Sequence, residues 1–182
     1  MPLSPHSVTA APAAPLRPRW LALLVTGAEL LSSLCMFVTG IMMVILIAIF
    51  GWLVFGRYVL NNTPTWVEQM SLMLIVWITF LGAAVGVWRN THLSIGFLRD
   101  ALPERPREVM TIAAELLLGV FGAFMAWYGV TLVTATGRRI VPMLGVSEGW
   151  RSAPLAICGA LIVLFSLVGL LTRAADLSAR RV

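Results

Sequence analysis

The side chains of this sequence that could do chemistry are few and scattered. Two histidines, two cysteines and eight acids make up the titratable stock apart from arginine and tyrosine. His6 and His92 are too few to ligate a haem from facing helices. Cys35 and Cys158 lie in separate apolar runs without a C-x-x-C pair, so quinone-linked disulfide chemistry has no support. A disulfide stays open, but lone cysteines in such runs behave more often as small apolar residues. No nucleophile–base pair or metal cluster stands out, so a membrane enzyme is disfavoured and no catalytic residue, cofactor or metal site is expected. The one chemically pointed feature is Glu115, about two turns inside an apolar run. An intramembrane carboxylate is a candidate for ion or proton coupling, or it sits near the headgroups or pairs with an arginine.

The elements that must carry these residues are apolar. Of 182 residues, 59% are hydrophobic and 12% charged, against roughly 45–50% and ~25% in soluble domains. A water-soluble fold of this size could not cover that surface, so an all-α integral membrane protein is expected. The net charge is +5 and all 13 basic residues are arginines. They sit at the ends of apolar runs rather than in a patch, which speaks for bilayer orientation and against nucleic acid.

Residues 1–19, rich in Pro, Ala and Ser, read as a disordered cytoplasmic tail. The run after Trp20 is broken by Glu29 and far exceeds a signal-peptide core, so it is expected to stay attached. As one helix it would exceed the ~30 Å hydrocarbon thickness. It is therefore split at Glu29, with Trp20–Ala28 near the interface and a first span over 30–55. Further spans are expected over 66–88, 108–136 and 151–172, making a membrane domain of 20–173 followed by a cytoplasmic tail of 174–182.

Asn61, Asn62 and Pro64 form a turn before the second span. Either Thr63 caps that helix with Pro64 at its first position, or Thr65 caps it with Glu68 in a capping box. Gly82 and Gly86, four apart, and the series Gly119, Gly122, Ala123, Ala126 and Gly129 suit close helix approach. Residues 92–102 read either as an amphipathic arm lying in the interface or as a plain connector, with Pro103 and Pro106 closing it. Pro154 falls in the first turn of the fourth span.

Four spans place both termini on one side. Nine arginines (17, 19, 89, 99, 105, 107, 173, 180 and 181) lie there, and four (57, 138, 139 and 151) lie opposite. The positive-inside bias puts the termini in the cytoplasm, the Asn61 turn outside, and His92 inside.

Taken together, Phe55, Arg57, Tyr58, Asn61, Thr65, Trp66 and Glu68, then Trp77, Phe80, Gly82, Ala83 and Ala84, then Arg89 and His92, resemble a known pattern. It is that of the small membrane subunit, DctQ type, of tripartite ATP-independent periplasmic (TRAP) transporters. Pro154 at the head of the last span resembles it too. Gln69 departs from it, since the family often carries a second carboxylate after Glu68. The resemblance implies a bacterial inner-membrane subunit of an organic-acid importer. Its partners would be a large DctM-type membrane subunit carrying substrate and sodium, a periplasmic binding protein, and membrane lipid. The small subunit would then be a scaffold. The candidate interface or motif positions are Arg57, Asn61, Trp66, Glu68, Gly82, Gly86, Arg89 and His92. The competing expectation is an autonomous small transporter, acting as an oligomer, with Glu29 or Glu115 as its coupling acid.

Overall fold

The computed structural model describes residues 19–62, 65–89, 104–141 and 145–179, without the side chains of 104–108 and 176–179. Of the tail expected over 1–19, residues 1–18 lie outside these residues and Arg19 begins a helix; the Thr63–Pro64 step, His92 with the expected arm, and 180–182 lie outside them too. Four helices are present among the described residues: α1 (Arg19–Tyr58), α2 (Thr65–Trp88), α3 (Glu104–Thr136) and α4 (Gly149–Ala179). All four are long and apolar enough to cross a membrane. The protein is an all-α, four-span membrane protein.

Large apolar side chains face outward along every span, among them Leu23, Leu30, Leu117 and Trp127, each more than 70% exposed. In water that arrangement would carry a severe penalty; in lipid it costs nothing, because acyl chains are as apolar as leucine.

The helices outrun the expected bounds, α4 by reaching Ala179 where the span was expected to end at 172 and a tail to begin at 174. α1 is unbroken for 40 residues and runs straight through Glu29. The carboxylate sits on an exposed face, where it leaves the backbone ladder intact, and glutamate is a good helix former. At 1.5 Å per residue α1 is about 60 Å long, twice the ~30 Å hydrocarbon thickness, so it must tilt or extend beyond it. α3 begins at Glu104, so Pro106 lies in its first turn rather than ending the preceding segment. Proline is tolerated there because the first N–H groups have no intrahelical partner.

α4 is the hub. It packs on α1, α2 and α3, whereas among the described residues α3 packs on α4 alone. Ala28, Ala84, Cys158, Ile162, Phe165 and Val168 form one core, and Cys35, Leu81 and Val85 a second beside it. The cysteines are both buried and free.

Small residues set the α3–α4 distance, as the series in α3 suggested. A methyl group on Gly129 would stand 2.6 Å from the Ala156 backbone, and one on Gly159 2.7 Å from the Gly122 carbonyl oxygen. Contacts that short are forbidden, so these positions require glycine for close approach. Gly82 behaves otherwise: nothing lies within 4 Å of its would-be side chain. Among the described residues its face is unused.

The contrast is testable by thermal or denaturant unfolding in detergent. Gly159→Ala should destabilise by about 1–3 kcal/mol, since backbone must move to admit the methyl. Gly82→Ala should stay within about 0.5 kcal/mol.

Candidate functional site

Three places gather the residues with functional potential. The first is the α1–α2 turn. α1 closes through Val59 N–H donating to the Phe55 carbonyl (2.9 Å) and Asn62 N–H to the Gly56 carbonyl (3.0 Å). Asn61 takes φ 52°, a left-handed conformation that asparagine tolerates far better than branched residues do. Arg57, Asn61, Trp66 and Glu68 are all exposed around this turn. No ion pair joins Arg57 to Glu68 among the described residues. Trp77, about a dozen residues into α2, meets Trp150 at the head of α4. The α1–α2 hairpin therefore projects about 18 Å past the α4 start, at 1.5 Å per residue, and carries these four side chains at its tip.

The second place is that Trp77–Trp150 junction. α4 starts at Gly149, so Pro154 lies beyond its first turn, inside the helix. Lacking an N–H, Pro154 leaves the Trp150 carbonyl without its i+4 donor. Trp77 Nε1 donates to that carbonyl at 3.2 Å, with the two indoles 6.1 Å apart. Across the loop, Ser147 Oγ accepts from the Gly149 N–H at 3.2 Å and donates to the Gly137 carbonyl at 2.7 Å, tying the α3 end to the α4 start. Glu148 and Arg151 form an ion pair at 3.7 Å beside it.

The third place is the opposite end of the bundle. Arg173 Nε donates to Glu115 Oε1 at 2.7 Å. An arginine partner, one of the readings left open for Glu115, is present. Its second oxygen, Oε2, is buried without a partner among the described residues, as is Ser166 Oγ. Both atoms belong to residues lining a cavity of about 340 Å³, which Trp88 and Phe165 wall with rings 5.2 Å apart. Gly86 is half-buried and Arg89 exposed at the end of α2; Arg89 borders a separate apolar groove along α1 with Phe37 and Ile41.

Among the described residues, the predicted interface positions thus divide into Arg57, Asn61, Trp66 and Glu68 at the turn and Gly82, Gly86 and Arg89 toward the other end of α2. Sequence reasoning missed the roles of Trp77, Ser166 and Arg173. Trp77 was findable, since a proline inside an apolar helix demands a substitute donor; Ser166 and Arg173 carried no local signal.

The profile of the family described as "Tripartite ATP-independent periplasmic transporters, DctQ component" matches residues 45–176. Over 135 residues the chain is 24% identical to the sialic acid TRAP transporter small permease protein SiaQ of Vibrio cholerae, covering 74% of this chain and 78% of that protein. It is 29% identical over 125 residues to the sialic acid TRAP transporter permease protein SiaT of Haemophilus influenzae, covering 67% of this chain but 20% of that one. It is also 29% identical over 94 residues to the ectoine TRAP transporter small permease protein TeaB of Halomonas elongata, about half of each chain (50% and 49%).

A double-mutant cycle tests the indole-to-carbonyl bond. Trp77→Phe should cost about 0.5–1.5 kcal/mol of unfolding free energy, the net value of one hydrogen bond. In a Pro154→Ala background, where residue 154 regains an N–H, the same change should cost at least about 0.5 kcal/mol less. Additive losses would contradict the assignment.

Proposed function

The chain belongs to the DctQ component family of TRAP transporters, and we propose that in such a transporter it is a non-catalytic scaffold. It braces the large membrane permease while that subunit carries an organic acid with sodium. The relatives named for sialic acid and ectoine transport support a solute of that general kind.

The Glu115–Arg173 pair carries this reading. A coupling acid must take up and release a cation during each cycle. Glu115 instead has one oxygen held by a guanidinium at 2.7 Å, and Glu29, the other candidate, is exposed on the outer face of α1. Secondary transporters build their sites from interrupted helices whose ends meet at the bilayer midplane. The described helices here are continuous, and Pro154 lies near one end of its helix with its backbone vacancy filled. A static part benefits from such closure. The glycine-tight α3–α4 pair and the tryptophans at the ends of α2 fix depth and angle in lipid.

The arginine asymmetry supports cytoplasmic termini in a bacterial inner membrane. The projecting α1–α2 tip then faces the periplasm, where Arg57, Asn61, Trp66 and Glu68 are available to the binding protein or to the outer face of the large subunit. Gly82, with open space beside it, suits a close helix of the large subunit; Gly86 and Arg89 lie further along α2, and His92 follows beyond its end. The autonomous-transporter reading draws on one observation, the unpartnered Oε2 of Glu115.

Reconstitution separates the two. Vesicles holding this chain alone under a sodium gradient should accumulate no organic acid. Vesicles holding it with its large subunit and binding protein should do so, and Glu115→Gln in that assembly should keep most of the uptake per folded complex. Uptake by the chain alone, abolished by Glu115→Gln, would overturn the scaffold.

A further inference from the structure

The cavity beside the Glu115–Arg173 pair is lined from all four helices: by Val25 on α1, Trp88 on α2, Glu115 on α3, and Phe165, Ser166 and Arg173 on α4. Its chemistry is unusual for a bundle interior. Ser166 is 5% exposed and its hydroxyl has no partner among the described residues; the same holds for Glu115 Oε2. The carboxylate oxygen is an acceptor and the hydroxyl both acceptor and donor, and each leaves a buried hydrogen bond unmade, which is costly in an apolar setting. Thr172, also on the wall, already donates to the Gly169 carbonyl at 2.7 Å and supplies nothing to them. Gly169 keeps the space open: a methyl there would stand 3.4 Å from the Glu115 carboxyl carbon.

The charges of the site select its ligand. Glu115 and Arg173 cancel, so a simple cation or anion would bring an uncompensated charge into the cavity. A zwitterion would not. Its ammonium would donate to Glu115 Oε2 and Ser166 Oγ and rest near the Trp88 ring, which favours cations on its face. Its anionic group would meet Arg173, which spends only Nε on Glu115 and has its terminal amino groups left as donors. The depth selects the source. Arg89 and Arg173 mark the polar ends of α2 and of the apolar part of α4, and the cavity lies just inside that boundary, between apolar walls that suit acyl chains. A membrane lipid with an amine-phosphate headgroup meets both conditions.

We propose that this cavity binds the phosphoethanolamine headgroup of a membrane lipid, with the ammonium on Glu115 and Ser166 and the phosphate on Arg173. The lipid completes the hydrogen bonding of the four-helix junction and seals it at headgroup depth. The site is independent of the transport role, because it rests on the internal geometry of this chain.

Native mass spectrometry of the full chain tests it, after release from bilayers containing equal amounts of phosphatidylethanolamine, phosphatidylcholine and phosphatidylglycerol with identical acyl chains. Phosphatidylcholine keeps the positive charge but has no N–H, so the wild type should retain phosphatidylethanolamine about tenfold over it, the value of a hydrogen bond to a charged group. Glu115→Gln should erase most of that preference. Ser166→Ala, which keeps the ion pair, should lower it about threefold with unchanged helicity, and it carries the test if Glu115→Gln fails to insert. Soluble O-phosphoethanolamine should bind at least about a hundredfold more weakly, lacking acyl chains. Equal retention of the two lipids by the wild type, as a merely water-filled cavity predicts, would overturn the proposal. So would a preference untouched by Ser166→Ala, or binding of the soluble headgroup as tight as the lipid's.

Discussion

Inside a bilayer no water is at hand to satisfy a backbone or side-chain polar group, so every carbonyl, hydroxyl and charge must find its partner within the protein or in lipid. The architecture follows from how this chain meets that demand. Pro154 removes one donor from α4, and an indole on a different helix replaces it. Thr39, Thr79, Thr131 and Thr136 turn their hydroxyls back onto carbonyls four residues earlier. The carboxylate of Glu115 on α3 is held by the guanidinium of Arg173 on α4. Two of these solutions cross between helices, and both engage α4. That is why α4 is the hub, and why its neighbours are fixed to it at both ends: by Trp77 near its start and by Glu115 near its end.

Between those two points packing sets most of the geometry, with the Thr136 and Ser152 hydroxyls 3.4 Å apart as a further link between α3 and α4. Lipid offers no hydrophobic drive for helices to associate, so contact must come from close fit. Gly122, Gly129 and Gly159 supply it for α3 and α4, whose backbones touch without intervening side chains. The α1–α2 hairpin is held by larger side chains and reaches past the head of α4. The result is a bundle anchored tightly along one pair, with a hairpin tip and one glycine face of α2 left open. Such a division suits a part that stays fixed while binding a larger one.

Much of this was legible in the chain, for physical reasons. Long apolar runs bounded by arginine and tryptophan announce spans, because hydrocarbon thickness demands them. The α3 glycine series announced a seam, and Asn61 the left-handed step of the turn. What stayed hidden depended on residues distant in sequence. Arg173 looked like an ordinary basic flank until α3 and α4 aligned it with Glu115. Gly82 and Gly86 carried the same local signal as the α3 series, yet Gly82 faces open space, since spacing cannot say which face a neighbour occupies. Glu29 suggested a break because charge marks interfaces, but charge does not interrupt a helix. The cavity of Trp88, Phe165 and Ser166 had no local pattern at all; it exists only where four helices converge.

The account stands or falls on whether this bundle stays still while its partner works. Spin labels at Leu72 on α2 and Leu117 on α3, both exposed, would report their separation by pulsed electron resonance in the assembled transporter, with and without transported solute. A distance constant to within about 2 Å is expected, the scale of ordinary helix adjustment. A shift of about 5 Å or more, the size of a one-turn slip between packed helices, would contradict it.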